Sequence, residues 1–143
     1  MNDNLSGFEI VDGTLLGNYA LSANEHVPVI LDIDASNPDF DDFSDLLRNA
    51  ESSLNALTEE TLDHLKTSIS VELTDAAYPK SEADMKAKAY ADLQAELKLK
   101  EIVFYLDDVI SMIFEAKKEY PDMLIHCQVD PQFAIEDLAL HTR

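Results

Sequence analysis

The sequence predicts an α+β fold in which strands at both ends of the chain enclose a helical middle. Residues 8–34 are rich in β-branched side chains, residues 40–97 repeat apolar side chains every three or four positions, and β-rich segments return after about residue 100. Strands, then helices, then strands, without regular alternation, are typical of α+β proteins. A length of 143 residues fits one domain spanning 1–143, with a core of ordinary size.

The N-terminal segment predicts a hairpin followed by a further strand. Residues 8–11 lead into Asp12-Gly13, a dipeptide suited to a tight turn, and residues 14–16 continue the second strand. Residues 27–34 form another β-branched run whose end alternates between apolar and acidic side chains. Pro28 in this run predicts an edge position or a strand start, because proline has no backbone N–H to donate.

Three amphipathic helices are predicted in the middle of the chain. The first follows Asn37-Pro38-Asp39 and has a stripe at spacings of three and four, which we expect to be buried: Phe40, Phe43, Leu47, Ala50, Leu54 and Leu57. The second begins at the N-cap Thr58 and ends near Tyr78, before Pro79. Its apolar face is Leu62, Leu65, Ile69, Leu73 and Ala76. The third is capped by Ser81 and has Met85, Ala89, Leu93 and Leu97 on one face.

The C-terminal part predicts an antiparallel strand meander. Residues 102–106 and 109–114 are β-rich and are separated by a turn at Asp107-Asp108. Residues 123–129 alternate, with Cys127 on the apolar side and His126 on the other. The segment 131–140 fits a strand or a short helix, and both remain open.

Charge is the strongest global feature of the chain. The net charge is −19, from 29 acidic side chains against 10 basic ones. Such a field repels nucleic acid and anionic membranes, so we expect neither as a partner. It favours basic partners, cations or simply solubility. The excess is concentrated in residues 1–57, which have 11 acidic side chains and a single basic one, Arg48.

Two features indicate a cytoplasmic protein. Cys127 is the only cysteine, so no internal disulfide can form. The first residues, Met1-Asn2-Asp3-Asn4, are polar and acidic. A signal peptide has a basic region followed by an apolar stretch, and this pattern is missing, so no signal peptide is predicted.

Two segments are similar to the signature of the aspartate phosphatases (haloacid dehalogenases), and neither completes it. That signature needs a strand ending in a nucleophilic aspartate, a second aspartate two residues later, and often Gly-Thr. Segment 10–15 has Ile10 at the nucleophile position, and segment 29–34 is followed by Ala35-Ser36 instead of Gly-Thr. The sheet of this family also needs βαβ crossovers, whereas three successive helices follow residue 34.

No metal site, cofactor site or catalytic residue is predicted. Asp32-x-Asp34-x-Ser36 begins like an EF-hand loop, but Asn37 replaces the turn glycine and Phe43 the bidentate glutamate. Weak cation binding by this cluster and a solvated acidic strand end both stay open. The histidines lack zinc-ligand spacing, and His126 cannot activate Cys127 because neighbouring strand residues point to opposite faces.

From residue 27 onward, the order of a strand, an acidic turn, helices and a C-terminal strand meander resembles that of small bacterial cytoplasmic domains of unknown function. The residue patterns at 102–106 and 124–130 are part of this resemblance. Some of these domains are immunity proteins that neutralise toxins. The resemblance implies a non-enzymatic role and a protein partner. We therefore expect a protein-binding module with a basic partner, and a homo-oligomer stays open. An acidic chaperone for a secreted effector, and a small-ligand or enzyme domain without a recognisable site, are the alternatives.

The candidate binding residues are the carboxylates at the start of the first helix: Asp39, Asp41, Asp42 and Asp45. Asp41, Asp42 and Asp45 lie off the apolar stripe, so we expect these three to face solvent. A negative charge at a helix N-terminus interacts favourably with the helix dipole, and this explains the presence of Asp39 and Asp41 without a binding partner. That account weakens at Asp45, which the sequence places beyond the first turn.

Overall fold

The computed structural model describes residues 5–22 and 24–142 and confirms the α+β class. Residues 1–4, which bear on the signal-peptide expectation, lie outside this range. The described residues form one sheet whose strands follow the order of the chain. The strands are β1 Leu5–Val11, β2 Thr14–Ser22, β3 Glu25–Asp32, β4 Lys98–Tyr105, β5 Ile110–Glu115, β6 Met123–Val129 and β7 Ile135–Thr142.

Neighbouring strands are antiparallel except β3 and β4, which are parallel. The sheet is therefore an N-terminal meander and a C-terminal meander joined through one parallel pair. A parallel connection needs a long crossover, and the three helices provide it. The C-terminal meander is confirmed, and the open segment 131–140 belongs largely to strand β7.

The first hairpin forms at the predicted dipeptide. Asp12 and Gly13 both have positive φ, at 51° and 82°, as two-residue hairpin turns of this kind require. A Cβ atom on Gly13 would lie 3.3 Å from the carbonyl oxygen of Ala35. Glycine therefore serves both the turn and the close approach of the loop that follows β3.

Pro28 lies in an interior strand, but at a local edge. Parallel pairing with β4 begins one residue later, at Val29 opposite Ile102. In the part of β3 before Val29 the registered partner is β2, where Pro28 lies opposite Asn18. The missing N–H of proline therefore removes no ladder hydrogen bond to β4.

The helices begin and end close to the predicted residues. A 3₁₀ turn at Phe40–Phe43 precedes α1 (Ser44–Asn55), which is followed by α2 (Glu59–Ala77) and α3 (Ala83–Glu96). Thr58 is the N-cap of α2, as predicted, and its Oγ1 accepts the backbone N–H of Thr61 at 3.2 Å. Helix α2 ends at the C-cap Tyr78. The N-cap of α3 is Glu82, one residue later than predicted.

The buried stripe of α1 differs from the predicted one at two positions. Phe43, Ala50, Leu54 and Leu57 are buried as predicted. Leu46, at 5% exposure, takes the place of Leu47, which is half-buried. Phe43 ends a 3₁₀ turn, in which side chains three residues apart point in the same direction. Leu46 therefore lies on the same buried face as Phe43.

Phe40 is 47% exposed, contrary to the prediction. Its ring meets Phe8 edge-on at a centroid distance of 6.0 Å. Smaller deviations occur at the helix ends nearest solvent. Ala76 in α2 is exposed and Leu73 half-buried, and Met85 in α3 is exposed, whereas Leu93 and Leu97 are buried as predicted.

The core lies between the helices and one face of the sheet. Side chains in register across four strands are buried on this face, among them Leu31, Phe104, Ile110 and Val129. Tyr19 on the same face donates its hydroxyl to the carbonyl of Leu54 in α1 at 3.1 Å. The opposite face is the more exposed one. No helix within residues 5–22 and 24–142 is long and apolar enough to cross a membrane.

Candidate functional site

A groove of about 770 Å³ lies between the C-terminal part of α2, helix α3 and the connection from β5 to β6. We call it the α2–α3 groove. Its walls are formed by Thr74, Tyr78, Ser81, Met85, Lys86, Ala89, Asp92, Leu93, Ala95, Glu96, Lys118 and Glu119. The two consecutive helices α2 and α3 and the more distant residues 118–119 therefore meet around one concave surface.

Polar contacts hold the N-terminal half of α3 against α2. The hydroxyl of Tyr90 donates to Oδ1 of Asp75, and Lys86 Nζ lies 3.5 Å from the same oxygen. Lys86 Nζ also donates to the carbonyl of Pro79 at 3.4 Å. The hydrogen bond to the carboxylate and burial raise the pKa of Tyr90. Both the phenol and the ammonium group therefore serve to position α3.

Glu96 and Glu119 attach the β5–β6 connection to the helices. The carboxylate of Glu96 accepts the backbone N–H groups of Lys118 and Glu119, each at 3.1 Å. At the C-terminal end of α2, the hydroxyl of Tyr78 donates to Glu119 Oε1 at 3.2 Å. The negative charge of Glu119 and this hydrogen bond raise the pKa of Tyr78, so its phenol stays protonated. The rim of the groove is thus defined by hydrogen bonds.

Two large side chains of the groove remain in solvent. Met85 is 65% exposed and Tyr78 is 47% exposed, whereas Leu93 is buried. Methionine and tyrosine are enriched at protein interfaces, where flexible thioethers and amphipathic rings supply contact area. The polar groups described above are already hydrogen-bonded or ion-paired with each other. This arrangement is suited to non-covalent binding.

The carboxylates predicted as binding residues lie elsewhere, at the start of α1. Asp39, Asp41, Asp42 and Asp45 are all exposed, the last three as expected. We call this group the acidic turn. Asp42 Oδ2 accepts the backbone N–H of Asp39 at 2.9 Å, and Asp45 lies 3.4 Å from Arg48. None of the four lines the α2–α3 groove.

Asp45 requires a correction. The sequence placed it beyond the first turn, but α1 starts at Ser44 after the 3₁₀ turn, and Asp45 lies in the first α-helical turn. A carboxylate there interacts favourably with the helix dipole. The local explanation that accounts for Asp39 and Asp41 therefore extends to Asp45 as well.

The other chemical candidates have structural explanations. Asp32 Oδ1 accepts the backbone N–H of Asp34 at 2.9 Å. Cys127 is buried, and burial together with the charges of Glu72 and Asp137 raises the pKa of its thiol to about 12. In the part of the chain that the structure describes, no three His, Cys, Asp or Glu side chains come together in a way that could hold a metal ion.

Sequence reasoning missed the α2–α3 groove. It placed Met85 on a buried helical face and treated Tyr78 only as the end of α2. The available signal was the composition of α3, whose N-terminal half has few large apolar side chains besides Met85. Such a helix covers its neighbours incompletely.

No family model matches the chain, and no curated protein or solved structure matches it either.

Proposed function

We propose that this protein is a non-enzymatic protein-binding domain that receives a segment of its partner in the α2–α3 groove. The observation that carries the proposal is the pair of exposed side chains, Met85 and Tyr78, at a groove of about 770 Å³. Interface energy is concentrated in a few side chains of this kind when they surround a pocket. Met85 in particular has no polar contact in the groove that would account for its exposure.

Charge specifies the kind of partner. A domain with a net charge of −19 attracts basic proteins over long range and repels nucleic acid and anionic membranes. The acidic turn contributes by accelerating the encounter, since exposed charges affect association rates more than final affinity. An immunity role, in which the partner is a basic toxin, is the sharpest form of this proposal. The lone Cys127 fits the reducing cytoplasm.

A small-molecule ligand is the second candidate, because the groove volume falls within the range of about 300–1,000 Å³ typical of ligand pockets. An acidic chaperone for a secreted effector is a third form of protein binding. It would use the same charge but engage an unfolded segment.

The test compares variants of the groove and of the acidic turn. The immobilised wild-type protein would capture partners from its source cell at low and high salt. Met85→Asp should abolish capture, because it places a charge where an apolar contact is expected. Leu106→Asp is the matched control: Leu106 is 60% exposed at the β4–β5 turn, away from the groove.

The triple change of Asp41, Asp42 and Asp45 to Asn should slow association and weaken its salt dependence, with a smaller effect on dissociation. If Met85→Asp retains every partner, or if none is captured at any ionic strength, the groove does not bind protein. A small molecule that raises the melting temperature of wild type but not of Met85→Asp would favour the second candidate.

A further inference from the structure

The last two strands bring two histidines into ring contact on the more exposed face of the sheet. His126 of β6 lies opposite Ala139 of β7, and His141 lies opposite Leu124, so the two imidazoles are diagonal neighbours. Their ring centroids are 4.2 Å apart and the planes are tilted by 42°. This contact is independent of the α2–α3 groove.

We propose that His126 and His141 form a pH-sensitive contact that holds the end of β7 when the rings are neutral and releases it when both are protonated. Two neutral imidazoles can stack at this separation. Two imidazolium rings at the same separation repel each other.

In the described part of the chain, charged side chains of β4, β5 and β7 lie on the same face of the sheet as His126. From β5, Ile113 lies opposite His126, and the carboxylate of Glu115 is within 3.6 Å of Lys100 and 3.9 Å of Lys117. Glu101 of β4 lies opposite Ile113, one strand further away.

From β7, the acidic side chain is Asp137, which lies opposite Gln128, and the basic one is His141. Burial and the charge of His141 lower the pKa of His126. Protonation of His126 is thus disfavoured in the folded protein.

The strand order determines which strand opens first at low pH. Among the described strands, β7 is at the edge of the sheet and pairs with β6. His141 is exposed and lies near the C-terminal end of this edge strand, where few strand contacts must break for local opening. Acid should therefore fray β7 from its C-terminal end. Opening would expose the outer edge of β6, and an unpaired strand edge can accept a strand from another chain.

The direction of the pH effect follows from linkage. The pKa of His126 is lowered on folding, so the open form binds more protons than the closed form below the ordinary histidine value of 6.5. Closure is fully favoured above that value. It weakens as pH falls through 6.5 and on toward the lower pKa of the folded protein.

The test is amide hydrogen exchange of residues 135–142 at pH 7.5 and 5.5, corrected for the intrinsic pH dependence of exchange. We expect β7 opening to rise severalfold at the lower pH, because the open form binds more protons there than the closed form. The β1 edge, which has no such histidine pair, is the internal reference. His141→Gln should reduce the increase and raise the pKa of His126 measured by NMR, because it removes the charge of His141, whereas burial still lowers that pKa.

His64→Gln is the matched control, because His64 is exposed on α2. It should leave the increase intact. Equal β7 protection at both pH values would overturn the proposal. So would a full increase that persists in His141→Gln, because the effect would then come from the many carboxylates of the protein and not from the histidine contact.

Discussion

Replacing Leu46 with Ala should destabilise the protein far more than the same change at the adjacent Leu47. The two residues share a helix, a residue type and a neighbourhood, but Leu46 is 5% exposed and Leu47 is half-buried. Leu→Ala removes three carbon atoms, a loss of about 2.4 kcal/mol at about 0.8 kcal/mol per buried methylene. At Leu46 an enclosed cavity adds to this, giving a total of about 3–4 kcal/mol.

At Leu47, which packs against the core, part of the removed surface is already in water and no enclosed cavity forms, so the cost should be about 1–2 kcal/mol. Leucine and alanine are both good helix formers, and the small difference in their helix propensity affects both variants equally. Urea unfolding followed by circular dichroism measures both variants. A difference of about 2 kcal/mol shifts the midpoint by about 1 M at a slope of about 2 kcal/mol/M. Equal losses, or a larger loss at Leu47, would refute the assignment of the 3₁₀ turn that sets the helical phase.

Two further predictions concern buried polar and sulfur atoms. Tyr19→Phe should lower the free energy of unfolding by about 0.5–1.5 kcal/mol in the same urea titration, because it removes one buried hydrogen-bond donor. The carbonyl of Leu54 is not left unpaired, since it still accepts the backbone N–H of Leu57 at 3.1 Å. A loss of unfolding free energy above about 3 kcal/mol would mean that the hydroxyl makes a further stabilising interaction besides this hydrogen bond. Cys127 should resist a thiol-specific disulfide reagent at pH 8 in the native protein and react at once after unfolding, because it is buried and its pKa of about 12 keeps it protonated. Rapid stoichiometric labelling of the folded protein would contradict this.

Local patterns were sufficient where one interaction determines the structure. The hairpin at Asp12-Gly13 follows from two backbone conformations that few other dipeptides adopt. The strand at 123–129 follows from strict alternation, and the beginning of α2 follows from the Thr58 cap. In each case the determining residues are within a few positions of each other. These elements were therefore predictable from sequence alone.

Long-range pairing was not predictable in the same way. Nothing in residues 27–34 or 102–106 specifies that β3 and β4 are parallel neighbours. That arrangement arises because both runs are buried and because three helices are long enough to return the chain to the same edge. The shift from Leu47 to Leu46 has a similar origin, since the 3₁₀ turn changes the phase of a stripe whose spacing alone fits an α-helix.

The same distinction separates the acidic turn from the α2–α3 groove as candidate sites. Each carboxylate of the acidic turn has a local role: Asp42 accepts a backbone N–H, Asp45 lies near Arg48, and all are at a helix start. A feature that the local structure explains gives little evidence of a partner. The exposure of Met85 has no such explanation, because its side chain makes no polar contact in the groove and burying it would favour folding, whereas the hydroxyl of Tyr78 is bonded to Glu119. The groove is therefore the stronger evidence for binding, and the acidic turn is better interpreted as a source of long-range attraction toward it.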